Sequence, residues 1–267
     1  MNKKMLPVII GVIVLLIIAG GAFAFYTFKS KSNAAPVEEQ KKKRAAEPLN
    51  VIPVAERPYM YISPESDGHN VTLTIARVNK AASQVEYELE YQAGSLLQGA
   101  FGELDVSSLP TSKKVLLGSC SAGGACTYHE DVKGGTLLTR FSGTENYALK
   151  SEWRYIDNKA KETLFASKDQ KFQLDSTDLK STRFLVIFNS AGYPEGLSGT
   201  PVSDPYSLQA AGGVKGKGKL TMRAAEEGTL EIMGYDGKSW KSFTTAVDGK
   251  MATATVDLME LYIVVRK

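Results

Sequence analysis

The chain has 267 residues, 43% of them hydrophobic, and a formal net charge of +3. Eight of its 32 basic residues but only two of its 29 acidic ones fall in residues 1–44, so residues 45–267 carry 24 basic against 27 acidic side chains. That slightly acidic remainder has no electrostatic footprint for nucleic acid, and no nucleic-acid partner is expected.

After a four-residue tail, residues 5–28 run from Met5 to Phe28 without a charge and with Pro7 as the one proline. This exceeds the roughly 20 apolar residues that span a hydrocarbon core. Pro7 falls in the first turn, where a missing N–H costs little. The expectation is a single-pass transmembrane helix acting as a signal anchor, with the lipid bilayer as its partner. The alternative is a secretory signal peptide cleaved after Ala24, since Ala22-Phe23-Ala24 fits an A-x-A site. The apolar run continues past that site through Phe25-Tyr26-Thr27-Phe28, which favours the anchor. Both readings export the rest of the chain. The basic residues after the span, Lys29, Lys31 and Lys41 to Arg44, taken alone argue for a cytoplasmic C-terminal part. The short N-terminal tail and a cysteine pair suited to a disulfide outweigh them.

Residues 29–56 show no apolar periodicity and read as a flexible charged tether. Beyond it the pattern is that of strands. Val71 to Ile75, Val85 to Tyr91 and Tyr147 to Tyr155 alternate apolar and polar residues, as half-buried strands do. Phe184 to Phe188 is apolar throughout and reads as a central strand buried on both faces. Asp67-Gly68, Gly134-Gly135, Asp236-Gly237 and Asp248-Gly249 read as turns. The fold class expected is all-β, with a main β-sandwich over residues 57–190. A Gly/Pro-rich connection at 191–203 and a smaller C-terminal β-sandwich module at 204–267 would follow. Within that module, Gly228 to Arg266, with Tyr235-Asp236-Gly237 ahead of Trp240, resembles small β-sandwich repeats of bacterial surface proteins. The resemblance implies a type of fold and no function.

Cys120 and Cys126 are the only cysteines, with Gly123-Gly124 between them. The spacing suits a disulfide across a hairpin loop. A metal site using both cysteines, His129 and Glu130 or Asp131 is the functional alternative, but C-x5-C-x2-H is not a recognised zinc spacing. The two histidines, His69 and His129, are too few for most catalytic sets, and no G-x-S-x-G or H-E-x-x-H motif occurs. Glu86, Glu88 and Glu90 share one strand face and read as a solvated row; Trp153 and Trp240 read as core residues. The loop residues Tyr193, Pro194 and Glu195, with Tyr206, are the candidate binding set, because loops on rigid scaffolds carry recognition. No catalytic residue, metal ligand or cofactor is expected. The function that follows is a non-enzymatic binding, adhesion or assembly role towards an envelope protein or polymer. The alternative is an extracytoplasmic hydrolase working through paired carboxylates.

Overall fold

Phe184 to Phe188 lies at the middle of the protein, and its alternation accounts for the layering. The computed structural model describes residues 47–267. The expected membrane segment at 5–28, and the tether up to residue 46, lie outside the described residues. Among the described residues no helix is long and apolar enough to cross a membrane. The described chain is all-β with several sheets, and Pro48–Lys267 forms one compact unit.

A ten-stranded sheet runs through the unit. Its order is Trp240–Phe243, Leu230–Tyr235, Leu261–Arg266, Tyr206–Ala210, Phe184–Asn189, Tyr147–Asp157, Val132–Ser142, Gln84–Ala93 and Leu96–Asp105, with Thr200–Pro201 also paired to Leu261–Arg266. All of these pairings are antiparallel. Two further sheets contribute to its cores. The three strands Tyr59–Pro64, Asn70–Arg77 and Thr111–Leu116 form the first. The five strands Leu164–Ala166, Phe172–Asp175, Lys217–Arg223, Met251–Asp257 and Ala246–Asp248 form the second.

Successive residues of a strand point to opposite faces. In Phe184–Asn189, Val186 and Phe188 enter a core shared with Met60, Ile62, Leu73 and Trp153. Leu185 and Ile187 enter a second core with Phe172, Leu174, Leu220 and Val256. This strand therefore belongs to both cores, as its uninterrupted apolar run predicts. Leu261–Arg266 behaves the same way. Tyr262 and Val264 join the second core, while Ile263 and Val265 form a third cluster beneath Tyr193, Leu197 and Trp240. The stretches 57–190 and 204–267 thus share a continuous sheet, and most of each stretch's buried residues fall in a different core.

Several local expectations can be compared with what forms. Asp67-Gly68 is a turn, with Gly68 at φ 71° and Asp67 Oδ1 accepting the His69 N–H at 2.8 Å. Asp236-Gly237 and Asp248-Gly249 also close hairpins. Gly134-Gly135 does not turn the chain. Both lie inside the strand Val132–Ser142, opposite the register shift at Gln92/Ala93. A Cβ on Gly134 would sit 2.3 Å from the Trp153 carbonyl oxygen, and one on Gly135 2.2 Å from that of Glu90. The glycines make a bulge where three backbones approach, rather than a loop. The end of the 29–56 stretch is also fixed. Asn50 pairs with Lys150 through both its amide atoms, at 2.9 Å each way, and Ile52 is buried. Among the described residues, pairing to the sheet therefore starts as early as Leu49, which a side-chain amide and a single Ile did not signal in the sequence.

Candidate functional site

The Gly/Pro-rich stretch 191–203 is strapped to the domain. Ser190 Oγ lies 2.9 Å from the Met60 carbonyl and 2.7 Å from that of Gly192. Gly192 packs so closely that a Cβ would meet the Arg57 carbonyl oxygen at 2.2 Å. Asn79 Nδ2 donates to the carbonyls of Ala55 (3.1 Å) and Arg57 (2.8 Å), which holds the 53–57 segment beside the loop. Trp240 Nε1 donates to the Glu195 carbonyl at 3.0 Å, and the Glu195 carboxylate pairs with Arg77. Further along, Pro201 pairs with Val265 and Val202 N–H reaches the Val264 carbonyl at 2.9 Å. Backbone and side-chain bonds at this density leave the loop little freedom.

Two clefts flank Tyr193. The larger, of about 560 Å³, is lined by the apolar residues Pro53, Val54, Ala55, Val202 and Ala224 and by Lys171, Arg223, Lys250 and Asp204. The smaller, of about 400 Å³, lies between Arg77–Asn79 and Tyr193–Leu197. Ala55 and Tyr193 line both. Tyr193 is half-buried, in T-shaped contact with Trp240 at 6.4 Å between centroids. Trp240 in turn meets Tyr235 at 5.2 Å, and Tyr235 meets Tyr59 at 6.1 Å. Three basic side chains and one acidic one line the larger cleft beside its apolar residues. Lys171 Nζ lies 3.5 Å from a carboxylate oxygen of each of Asp169 and Asp204, and Lys250 Nζ donates to the Ala225 carbonyl at 2.7 Å. Burial lowers the Arg57 pKa, against the opposing pull of Asp204.

Of the four candidate residues, three belong together. Tyr193 lines both clefts, and Pro194 and Glu195 line the smaller one. Tyr206 does not join them. It opens the strand Tyr206–Ala210 and is fully buried, because Tyr206, Leu208 and Ala210 alternate inward as core residues. Its hydroxyl donates to Asp169 Oδ2 at 2.6 Å. Burial would push the Asp169 carboxyl up, but hydrogen bonds from Ser167 and Tyr206, with Lys171 nearby, hold it below the usual carboxylate range. The residues that sequence reasoning missed are Ala55, Lys171, Arg223 and Lys250. They lie in four separate segments, and nothing local marks them as neighbours.

The remaining chemistry-bearing residues scatter. Cys120 and Cys126 face each other across a two-stranded hairpin and form a disulfide, with Cα atoms 4.0 Å apart. Both sulfurs are thereby removed from the metal alternative. His129 Nδ1 lies 3.0 Å from Tyr91 OH, and His69 stacks on Tyr128 at 3.8 Å. Among the described residues no three His, Cys, Asp or Glu side chains cluster as metal ligands. Glu88 pairs with Arg140 at 2.6 Å, and Glu90 accepts from Thr136 at 3.0 Å on the same face of the sheet. Trp153 is a core residue with its Nε1 bonded to the Glu90 carbonyl at 3.1 Å, whereas Trp240 is only partly buried. One carboxyl stands out. Burial, with Asp236 nearby, raises the pKa of Glu260, while backbone N–H donors from Ser239 and Lys238 lower that of Asp236. Neither residue lines either cleft. No protein-family model, no curated protein and no solved structure matches the chain.

Proposed function

We propose that the chain is a single-pass, membrane-anchored binding protein of the cell envelope. Residues 5–28 anchor it and the β part lies outside the cytoplasm as two fused β-sandwiches. The larger is built on the core around Trp153 and the smaller on the core around Leu220. Its activity is non-enzymatic recognition of an envelope protein or polymer. The observation that carries this reading is the pair of clefts meeting at Tyr193 on a rigidly strapped loop. Preformed concavities with a largely apolar lining and a few polar groups are the usual form of binding sites. The basic residues Lys171, Arg223 and Lys250 in the lining of the larger cleft support a ligand with a negative group.

The test is retention of envelope fractions by the immobilised full chain, compared with Ala55→Trp. Ala55 is exposed and lines both clefts, so an indole there obstructs them at a shared residue without entering a core. Loss of the retained species at unchanged thermal stability is expected. Equal retention by both chains refutes the site. Protease added to intact, wall-stripped cells should remove the β part, and full protection would refute the orientation. Release of a soluble form beginning at Phe25 would instead support secretion after cleavage. A hydrolase acting on envelope glycans or peptides is the second reading, favoured only by the opposed shifts of Glu260 and Asp236. It predicts turnover on wall glycans or peptides that Glu260→Gln abolishes.

A further inference from the structure

The strand Leu96–Asp105 ends the ten-stranded sheet, so among the described residues one side of its backbone has no strand partner. It follows a two-residue turn at Gly94-Ser95 and pairs with Gln84–Ala93 without a register break. Natural edges are normally blunted by lysine, proline, a bulge or brevity. This edge is ten residues long with none of the first three. It also carries three exposed large apolar side chains, Leu96 at 63%, Leu97 at 67% and Phe101 at 86%, the last the most exposed large apolar side chain of the described residues. Leu97, Gly99 and Phe101 point outward together, whereas Leu104 turns into the core.

We infer that Leu96 to Gly102 is a self-association edge, on which a second copy of this chain adds its own edge strand antiparallel, with the two-fold axis at Gly99. The distribution of charge selects that occupant and that register. Pairing about Gly99 sets Leu97 against Phe101 of the other copy, Leu96 against Gly102 and Gln98 against Ala100. All seven paired residues are uncharged. The first acidic residue, Glu103, then falls opposite Ser95, beyond the paired segment. Moving the axis to Phe101 would set Glu103 against Gly99 and Asp105 against Leu97, bringing carboxylates into an apolar contact. The neighbouring strand carries Glu86, Glu88 and Glu90 on the same outward face. A copy that brings leucine and phenylalanine there adds no further negative charge.

Site-specific crosslinking of the full chain tests the register. Cys120 and Cys126 are joined and no free cysteine exists among the described residues, so an introduced cysteine is the only thiol there. A Cβ on Gly99 meets nothing closer than 3.6 Å, so Gly99→Cys folds normally. A disulfide requires Cα atoms within about 7 Å, so Gly99→Cys should give a covalent dimer on mild oxidation. Glu103→Cys should not, because eight residues at about 3.4 Å each separate the two positions in this register. Mixed Glu103→Cys and Ser95→Cys chains should crosslink to each other. In sedimentation, Phe101→Lys should convert the dimer to monomer. Its side chain faces solvent and Glu88, so the fold is undisturbed. A chain that is monomeric at every concentration overturns the proposal, as does Glu103→Cys crosslinking as readily as Gly99→Cys. A dimer unaffected by Phe101→Lys overturns it too.

Discussion

Tyr206 shows how a residue can change meaning between sequence and structure. Beside glycines and prolines it reads as an exposed loop tyrosine, yet it is buried against Phe172, with ring centroids 5.7 Å apart, and donates to Asp169. A hydrogen bond to a charged acceptor contributes about 1.5–3 kcal/mol. Tyr206→Phe should therefore lower unfolding stability by about that amount at pH 7 in urea titrations. The pH dependence has a definite sign. The folded pKa of Asp169 lies below its unfolded value, so its contribution is present above the unfolded pKa and fades as pH falls through the folded one. The cost of Tyr206→Phe should shrink as pH falls below about 4, and a cost independent of pH would contradict the role given to Asp169. The Cys120–Cys126 bridge closes a short loop, and loop-closure entropy gives it about 2 kcal/mol. Double replacement by serine should cost about 1–3 kcal/mol and leave the far-ultraviolet spectrum unchanged.

Among the elements, the strand Val132–Ser142 depends most on backbone chemistry. Gly134 has φ 85°, and its Cβ position is occupied by the Trp153 carbonyl. Gly124 has almost the same φ, 84°, with nothing within 4 Å of a Cβ. The two positions separate backbone strain from steric exclusion. Gly124→Ala should cost about 1 kcal/mol, the price of a left-handed conformation. Gly134→Ala should cost more than about 3 kcal/mol, because the sheet must part to admit the methyl group. Soluble yield and urea midpoints of the two variants decide the matter, and equal costs would refute the bulge as a close-packing device. The strand Phe184–Asn189 is the opposite case. Its place followed from side-chain pattern alone, since five apolar residues in a row leave no face for water.

For the molecule as a whole, the continuous sheet predicts one unfolding transition. Val186 and Phe188 belong to one core, Leu185 and Ile187 to the other, on the same strand. Neither core can open without disturbing the backbone that holds the other. Trp153 lies in the first core and Trp240 over the third cluster, so Trp240→Phe isolates a probe of the first. Its fluorescence transition in urea should coincide with the loss of circular dichroism from all strands. Two separated midpoints would show that the cores unfold independently.

The sequence by itself determined the all-β class, the hairpin turns with Asp-Gly, the doubly buried strand and the disulfide. Each rests on information within about ten residues: alternation along a strand, the φ freedom of glycine, two cysteines around a Gly-Gly centre. Only the tertiary structure decided that Gly134-Gly135 is a bulge and that Tyr206 is core, since both depend on which backbone lies opposite. Likewise the clefts at Tyr193 join Ala55, Lys171, Arg223 and Lys250, which come from segments up to about two hundred residues apart. Periodicity reports which face of a strand is buried. It carries no record of the strand that covers that face, and a cleft is made of such long-range neighbours.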